Sequence, residues 1–577
     1  METRSTINLE MQFIKLDFAD MEYLEAKGAF VLPPRYVQED LINSFFADIH
    51  PTVPVINRTE FMRQFHSEKS PSRLLLFSIF TSGSRACRNP WLLDSKGTNQ
   101  EKAQQFYKAT KALLDTRYES DRLVYIQSLL LLTWWWDKKD DAGHNMRSCV
   151  ADSISTAHSM GMHRWSHYPK DDIVLTRIWK RVWWTCFNRD AVVASSHGLP
   201  CLLSSDEFDV HPLTPDDFNE EPDVHLSLQT RPPQPDETAY SIEVVKVSEA
   251  LHHIHSSISL AKQLQSNLTK TITGRTMQLA LTKHSGVDAE PFATDSAFAD
   301  LLSAASGDFK DVGLRLCREW LNSLPQVAQY DVDDVQNHRF WPGFLHVLYL
   351  TTVMLRFRDD SVARPSRGRA EAKRLFAQSR GIAAATMISK ILRNARAHNH
   401  ILRFTGQLTM TLYNCLVYFL IEGQSPIEDV QRDAQRKYSM CLHILYEFSQ
   451  LWVSAALTHR LFETLQARMQ FPGSSRSSPH APPPLWRPVP GIAISSDIST
   501  AYFKALINED FHSDNSITAI GTSDDTMQRD SLISMGLNMP MLNDMSEPFQ
   551  GYDLPSGGGL PRSLDAEEWA DLFVTFA

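Results

Sequence analysis

The sequence runs to 577 residues, with 43% hydrophobic and 22% charged residues and a formal net charge of -11. That length and apolar share support a sizeable core, and the acidic balance excludes a chain-wide basic surface for nucleic acid. The seven cysteines, Cys87, Cys149, Cys186, Cys201, Cys317, Cys415 and Cys441, share no close spacing, which excludes a disulfide framework and points to free thiols.

The first residues, METRSTINLEMQFIKL, hold no apolar core of a secretion signal, so none is expected. Helical periodicity then dominates. Tyr36–Ile49 follows Pro33-Pro34 and carries Leu41, Phe45 and Ile49 on one stripe. Helices are predicted next over Thr59–His66, Leu74–Ser84, Lys102–Tyr118 and Asp121–Trp136, the last apolar nearly all round and therefore central. Asn145–Met160 ends where Gly161 suits a left-handed C-cap, and Thr176–Ser195 follows. Cys201–Glu237, rich in Asp, Pro and Ser, reads as an acidic loop. Helices resume over Ile242–Leu268, Asp311–Leu321, Trp341–Phe357, Glu371–Ala397, Ile401–Glu422 and Asp429–Arg468. The runs Leu123–Trp136, Phe344–Phe357 and Leu408–Ile421 fall short of the ~20 residues a membrane-spanning helix needs, so no membrane association is expected. The predicted fold is all-α. It has a lead-in over residues 1–35, a helical domain over 36–470 with a motif-rich core at 42–225, and a linker and polar, disordered tail over 471–577.

No enzyme motif is present: there is no phosphate-binding loop, no paired-His metalloprotease helix and no Gly-x-Ser-x-Gly elbow. No cofactor or metal site is therefore expected. Cys201 and His211 read as unrelated loop residues, His252, His253 and His255 as a solvated or interfacial helix face, and His398 and His400 as a helix boundary. The densest basic stretch, Arg364–Arg374, is short. The tryptophans Trp134, Trp135 and Trp136, and Trp179, Trp183 and Trp184, suit core packing; an aromatic-lined pocket for an apolar effector would use the same residues.

Four stretches taken in order resemble the fungal-specific transcription factor domain, the middle homology region of zinc-cluster regulators. The first is FFADIHPTVPVINRTEFMRQF, through Phe46, His50, Pro51, Pro54, Val55, Ile56 and Phe61. The second is AHSMGMHRW, with Gly161, His163 and Arg164; the third is RIWKRVWWTCFNRD, with Arg177, Arg181, Trp183, Trp184 and Asp190. The fourth pairs CREWLNSLP with FLHVLYLTTVMLRF. Gly198-Leu199-Pro200 stands where the family often has Gly-Arg-Pro, and MEYLEAKGAFVLPP and EFDVHPLTPDDF look closest to the cutinase transcription factor branch. The six-cysteine zinc cluster has no counterpart in this sequence, so no zinc and no base-reading helix are implied.

Helical geometry adds specific expectations at these positions. Arg177, Arg181 and Trp184 fall on adjacent turns, which suits guanidinium–aromatic contact. Asp190, seven residues after Trp183, shares its inward face, and Arg164 is the expected partner for its carboxylate. Phe45, Phe46 and Phe61 should bury against the Leu123–Trp136 helix.

The resemblance implies a nuclear transcription regulator of RNA polymerase II genes, concerned with a secondary-metabolite gene cluster or with carbon or lipid use. Its expected partners are transcriptional coactivators or a DNA-binding partner protein, together with a small-molecule effector; this chain alone is not expected to bind DNA. Apolar stripes on Ile242–Leu268 and Asp429–Arg468 allow a homodimer, although such stripes usually bury within a domain. The competing reading is a non-transcriptional helical sensor or scaffold. At the C-terminus, within residues 553–577, Trp569, Leu572, Phe573 and Phe576 line one helical face among acids. That pattern suits an acidic–hydrophobic activation segment, or a final helix docked on the domain.

Overall fold

The computed structural model describes residues 16–68, 70–95, 97–135, 145–220, 233–282, 312–362 and 368–469, and among them the chain is helix and turn with no strand. The tail and the segment at 553–577 lie outside the described residues, as does Trp136. The first helix, α1 (Phe18–Ala26), buries only Leu24, so it offers no apolar stripe for sequence reading to find. Leu24 and Ala29 nevertheless join the main core.

Helix α2 (Arg35–Ser44) stops earlier than its periodicity predicts. Phe45–Ile49 winds into a π-helical turn and His50–Thr52 into a 3-10 turn. Pro51 and Pro54 lack amide hydrogens to continue the helix, and the wider turn delivers Phe45, Phe46 and Ile49 inward together. Polar caps then set most of the starts. Asn57 opens α3 (Arg58–His66) and Asp121 opens α6 (Arg122–Leu132). Asn145 opens α7 (Met146–Ser159) and Asp172 opens α8 (Ile173–His197). Between them lie α4 (Arg73–Gly83) and α5 (Gln100–Asp115). Two glycines close helices in the left-handed conformation: Gly161 at φ +79° and Gly198 at φ +64°.

The second half comprises α9 (Pro235–Thr282), α10 (312–323), α11 (Phe340–Ser361), α12 (Arg369–Ala397), α13 (Gln407–Glu422), α14 (Glu428–Phe448) and α15 (Val453–Met469). Two predicted helices needed correction. Ile401–Arg403 is a separate 3-10 turn ahead of α13, and the predicted Asp429–Arg468 helix breaks at Ser449–Trp452 into α14 and α15. The break lets Trp452 fold back under Gly406, where a Cβ would lie 2.9 Å from the indole.

Helix α4 packs on both α5 and α6, α6 on α7 and α7 on α8; α9 bridges α8 and α11, and α11 to α15 form the other side. One continuous apolar cluster runs from Leu24 to Phe462. Gly381 marks the closest approach, with a Cβ there only 2.0 Å from the Tyr418 ring. The π-turn phenylalanines pack mainly on α4, not on α6 as expected. Helix α6 reaches the first motif instead through Gln127 Nε2, which donates to Val55 O at 2.7 Å. No described helix is long and apolar enough to cross a membrane.

Imidazoles are unusually dense around α11. His338 lies 5.3 Å, between ring centroids, from both His398 and His400, so the latter pair belong to a packed cluster. Burial first, then neighbouring positive charges, pushes His338 and His400 down to about 4, and burial does the same to His346. The sign follows directly. Unfolded imidazoles take up protons below about pH 6.5, and the folded ones resist until about 4. Stability should therefore fall as pH drops through that window, by ~2 kcal/mol at pH 5 for His346 alone. Urea unfolding at pH 7 and pH 5 should show the fall, and His346→Gln should flatten it by that amount; an unchanged pH slope would remove His346 as a contributor.

Candidate functional site

Three of the four motif stretches converge on α8 and on the chain that leaves it. The 205–220 stretch wraps this helix and spends its acids as internal partners, which its reading as an acidic loop did not foresee. Asp217 accepts from the Thr214 amide and pairs with Lys180 Nζ at 2.6 Å, both side chains buried. Asp209 accepts from the Trp165 amide at 2.7 Å. Glu220 sits on the first turn of α3, accepting from the Arg58 amide at 3.0 Å and the Thr59 amide at 2.9 Å, and it pairs with Arg181 at 3.4 Å. The signal for this lay in Thr214-Pro215-Asp216-Asp217, a capping-box pattern.

Around this pair the first motif closes. His50 Nε2 donates to Ile56 O at 2.9 Å, and burial, with Arg58 and Arg181 adding to it, holds the imidazole well below its ordinary range. The Arg58 guanidinium lies over the Phe46 ring and donates to Phe46 O. Phe46 in turn packs edge-on against Phe61, and Ser241 of α9 donates to Pro51 O. Pro54 is buried in the same turn. Arg177 donates to Asn219 O.

Several expectations fail here for geometric reasons. Arg181 lies over Phe218, 5.6 Å from its centroid, instead of meeting Trp184. Trp184 is buried instead under Phe208, and its indole N–H donates to His211 O. Arg164 is exposed and does not reach Asp190. Helices α7 and α8 are antiparallel, so Arg164 sits near the start of α8. Asp190 lies 17 residues further along, about 26 Å at the helical rise. The partner is Arg147, on the first turn of α7, at 3.1 Å.

Asp190 is fully buried and holds the chain as it leaves α8. One carboxylate oxygen accepts from the Leu202 and Leu203 amides at 2.7 and 2.9 Å, and the other from Arg147, which also donates to Pro200 O. Burial pushes the carboxyl above its usual range against the pull of these donors. Helix α9 completes the clamp. His252 Nε2 donates to Leu203 O at 2.7 Å and His255 Nε2 to Leu199 O at 2.6 Å. These imidazoles are buried at the contact with residues 199–203, so of the two readings, a solvated or an interfacial helix face, the interfacial one holds for them, and each ring satisfies a carbonyl that no helix uses. Cys201 and His211 are unrelated, since His211 stacks on Trp165 at 4.1 Å.

The tryptophans fill space. Trp183 is fully buried against Phe208, His158 and His163. Trp134 is covered by the Arg189 guanidinium at 4.2 Å and Trp135 by that of Arg85 at 4.5 Å. Neither the cavity beside Pro200 nor the cleft between α3 and α8 is lined by a tryptophan. Among the described residues no group of three or more His, Cys, Asp or Glu side chains is arranged so that it could hold a metal ion.

Residues 42–285, which span this whole arrangement, match the profile of the fungal specific transcription factor domain. The chain carries a fungal specific transcription factor domain. Its similarity extends beyond that stretch. It is 32% identical over 452 residues to cutinase transcription factor 1 alpha of Fusarium vanettenii, covering 78% of this chain and 45% of that protein. The acetamidase regulatory protein of Aspergillus oryzae is 30% identical over 198 residues, covering 33% of this chain and 24% of the relative. The fusaric acid cluster transcription factor FUB12 of Gibberella moniliformis is 27% identical over 209 residues, covering 36% and 31%. This chain thus spans less than half the length of each of these relatives. No solved structure matches it. Within the matched stretch, Arg177, Arg181, Trp184 and Asp190, with the backbone of His163 and Trp165, seat the 198–220 segment on α8.

Proposed function

We propose that this protein regulates transcription by RNA polymerase II in the nucleus, through a helical domain that receives a signal and passes it to the transcription machinery. The observation that carries this is the domain match over residues 42–285, which coincides with the bonded arrangement of α2 to α9. Relatives named for transcription of cutinase, acetamidase and a fusaric acid cluster support it, and they favour target genes of carbon or lipid use or of secondary metabolism. The net charge of -11 supports a reading in which sequence-specific DNA contact is made by another protein or another segment. In the clamp the Asp190 carboxylate is committed to backbone amides and Arg147, and the His252 and His255 imidazoles to backbone carbonyls, which favours a structural role for these residues.

The test is direct. The full chain, fused to an unrelated DNA-binding domain, should change expression of a reporter, and a tagged copy should accumulate in nuclei. Removing Asp553–Ala577 from the fusion should reduce activation if that segment recruits a coactivator. A cytosolic protein whose fusion leaves the reporter unchanged sinks the transcriptional reading and favours a sensor or scaffold.

A further inference from the structure

Between α13 and α14 the chain crosses the surface as Gly423-Gln424-Ser425-Pro426-Ile427. We infer that Ser425 is a phosphorylation site for a proline-directed protein kinase, which transfers a phosphoryl group from ATP to a serine or threonine followed by proline. This goes beyond the transcriptional reading and does not rest on it.

The sequence offers four hydroxyl residues followed by proline: Ser70, Thr214, Ser425 and Ser478. Ser478 lies outside the described residues, and the fold sorts the other three. A kinase must hold the acceptor and the proline together in an extended stretch, because the ring fixes its own φ and pushes the preceding residue out of helical conformation. Ser70 is exposed, but Pro71 is buried and α4 starts two residues beyond it. The Thr214 hydroxyl donates to the Asp217 carboxylate at 3.0 Å, which ties it into the stretch wrapped on α8. Ser425 meets neither obstacle. It is partly exposed, Gln424 and Pro426 on either side are exposed, and Ile427 is extended at φ -93°, ψ 115° and 59% exposed. Its Oγ only accepts, from the Ile427 amide at 3.3 Å, so among the described residues its own hydrogen is not engaged.

The reaction balances with ATP as the donor. Ser425 Oγ bonds to the γ-phosphorus while the bond from that phosphorus to the β–γ bridging oxygen breaks, ADP leaves with the oxygen, and the hydroxyl proton passes to the kinase's catalytic carboxylate. The product carries roughly -1.5 to -2 charge and three strong acceptor oxygens at pH 7. The surroundings can use both. Helix α14 begins without a side-chain cap, and the Ile427 amide already points at Oγ. Gln431 Nε2 donates to Ser425 O at 2.7 Å, which holds the serine against the start of α14, next to Arg432. Arg432 pairs with Glu428 and Asp429, but these are exposed pairs and worth little, so the phosphate can draw it away. The phosphate thus caps α14 and engages Arg432.

The full chain carrying Ser478→Ala, incubated with ATP and either an active mitogen-activated or an active cyclin-dependent protein kinase, tests this. Phosphate should map to Ser425 by mass spectrometry with at least one of the two, and Ser425→Ala should remove it. Ser70 and Thr214 should react roughly ten-fold more slowly, because each needs a local opening first. In the phosphorylated chain the Asp429 and Val430 amides should exchange hydrogen more slowly than in the unmodified chain. No transfer to Ser425 by either kinase, transfer to Ser70 or Thr214 at an equal rate, or unchanged exchange at Asp429 and Val430 would each overturn the proposal.

Discussion

Replacing Asp190 with alanine is expected to destabilise the protein by about 3–5 kcal/mol. The carboxylate is fully buried, and its loss strands the Leu202 and Leu203 amides and leaves Arg147 without its partner. A stranded buried amide costs roughly 1–3 kcal/mol. The Arg147 guanidinium is 22% exposed and recovers part of its hydration, so it adds less than a fully enclosed charge would. Asp190→Asn should cost about half as much, since the amide oxygen still accepts from the Leu202 and Leu203 N–H groups while the new NH2 faces Arg147. Equilibrium urea unfolding measures both. Protection of the Leu202 and Leu203 amides from hydrogen exchange should disappear in the alanine variant. If those amides stay protected in Asp190→Ala, the clamp is held by α9 alone.

Truncating Trp183 to alanine should cost a similar ~3–5 kcal/mol, but for a different reason. Its ring is enclosed by Phe208, His158 and His163, and removal leaves a cavity that three different segments would have to close. Trp183→Phe separates volume from polarity. The indole Nε1 is buried with no hydrogen-bond partner among the described residues, so phenylalanine removes an unmatched donor while keeping most of the packing. It should cost less than half as much as alanine. A Trp183→Ala protein that melts with wild type, or a Trp183→Phe protein as unstable as alanine, contradicts the packing assignment.

The helices were legible because their apolar faces repeat at helical spacing, and the four motifs were legible because their residue types sit at fixed offsets. What could not be read was pairing across the chain. Arg147 and Asp190 are 43 residues apart and Arg58 and Glu220 are 162 apart. Nothing local marks either pair. Arg164 looked a better partner for Asp190 only because it was nearer in sequence; the antiparallel course of α7 and α8 was enough to reject it. Sequence could not decide between a solvated and an interfacial face for His252 and His255, because a histidine on a helix face carries no label for what covers it. Their covering is the 199–203 segment, which itself has no periodicity. The wide turn at Phe45–Ile49 was missed because a π-turn keeps the four-residue recurrence of the preceding helix.

Arg85 connects the two ends of the fold. Its guanidinium lies between Trp135 and Trp452 and donates to Leu451 O, 366 residues away in sequence. Burial lowers it to about 10, so the charge persists at neutral pH in a buried site. The matched domain ends at residue 285, long before the residues that receive this arginine. A ribosome adding ~5–20 residues per second needs on the order of 20–70 s to travel from Arg85 to Leu451. During that interval the nascent N-terminal helices carry Arg85 without its carbonyl acceptor and without the Trp452 ring, a surface suited to a chaperone until residues 451–452 emerge.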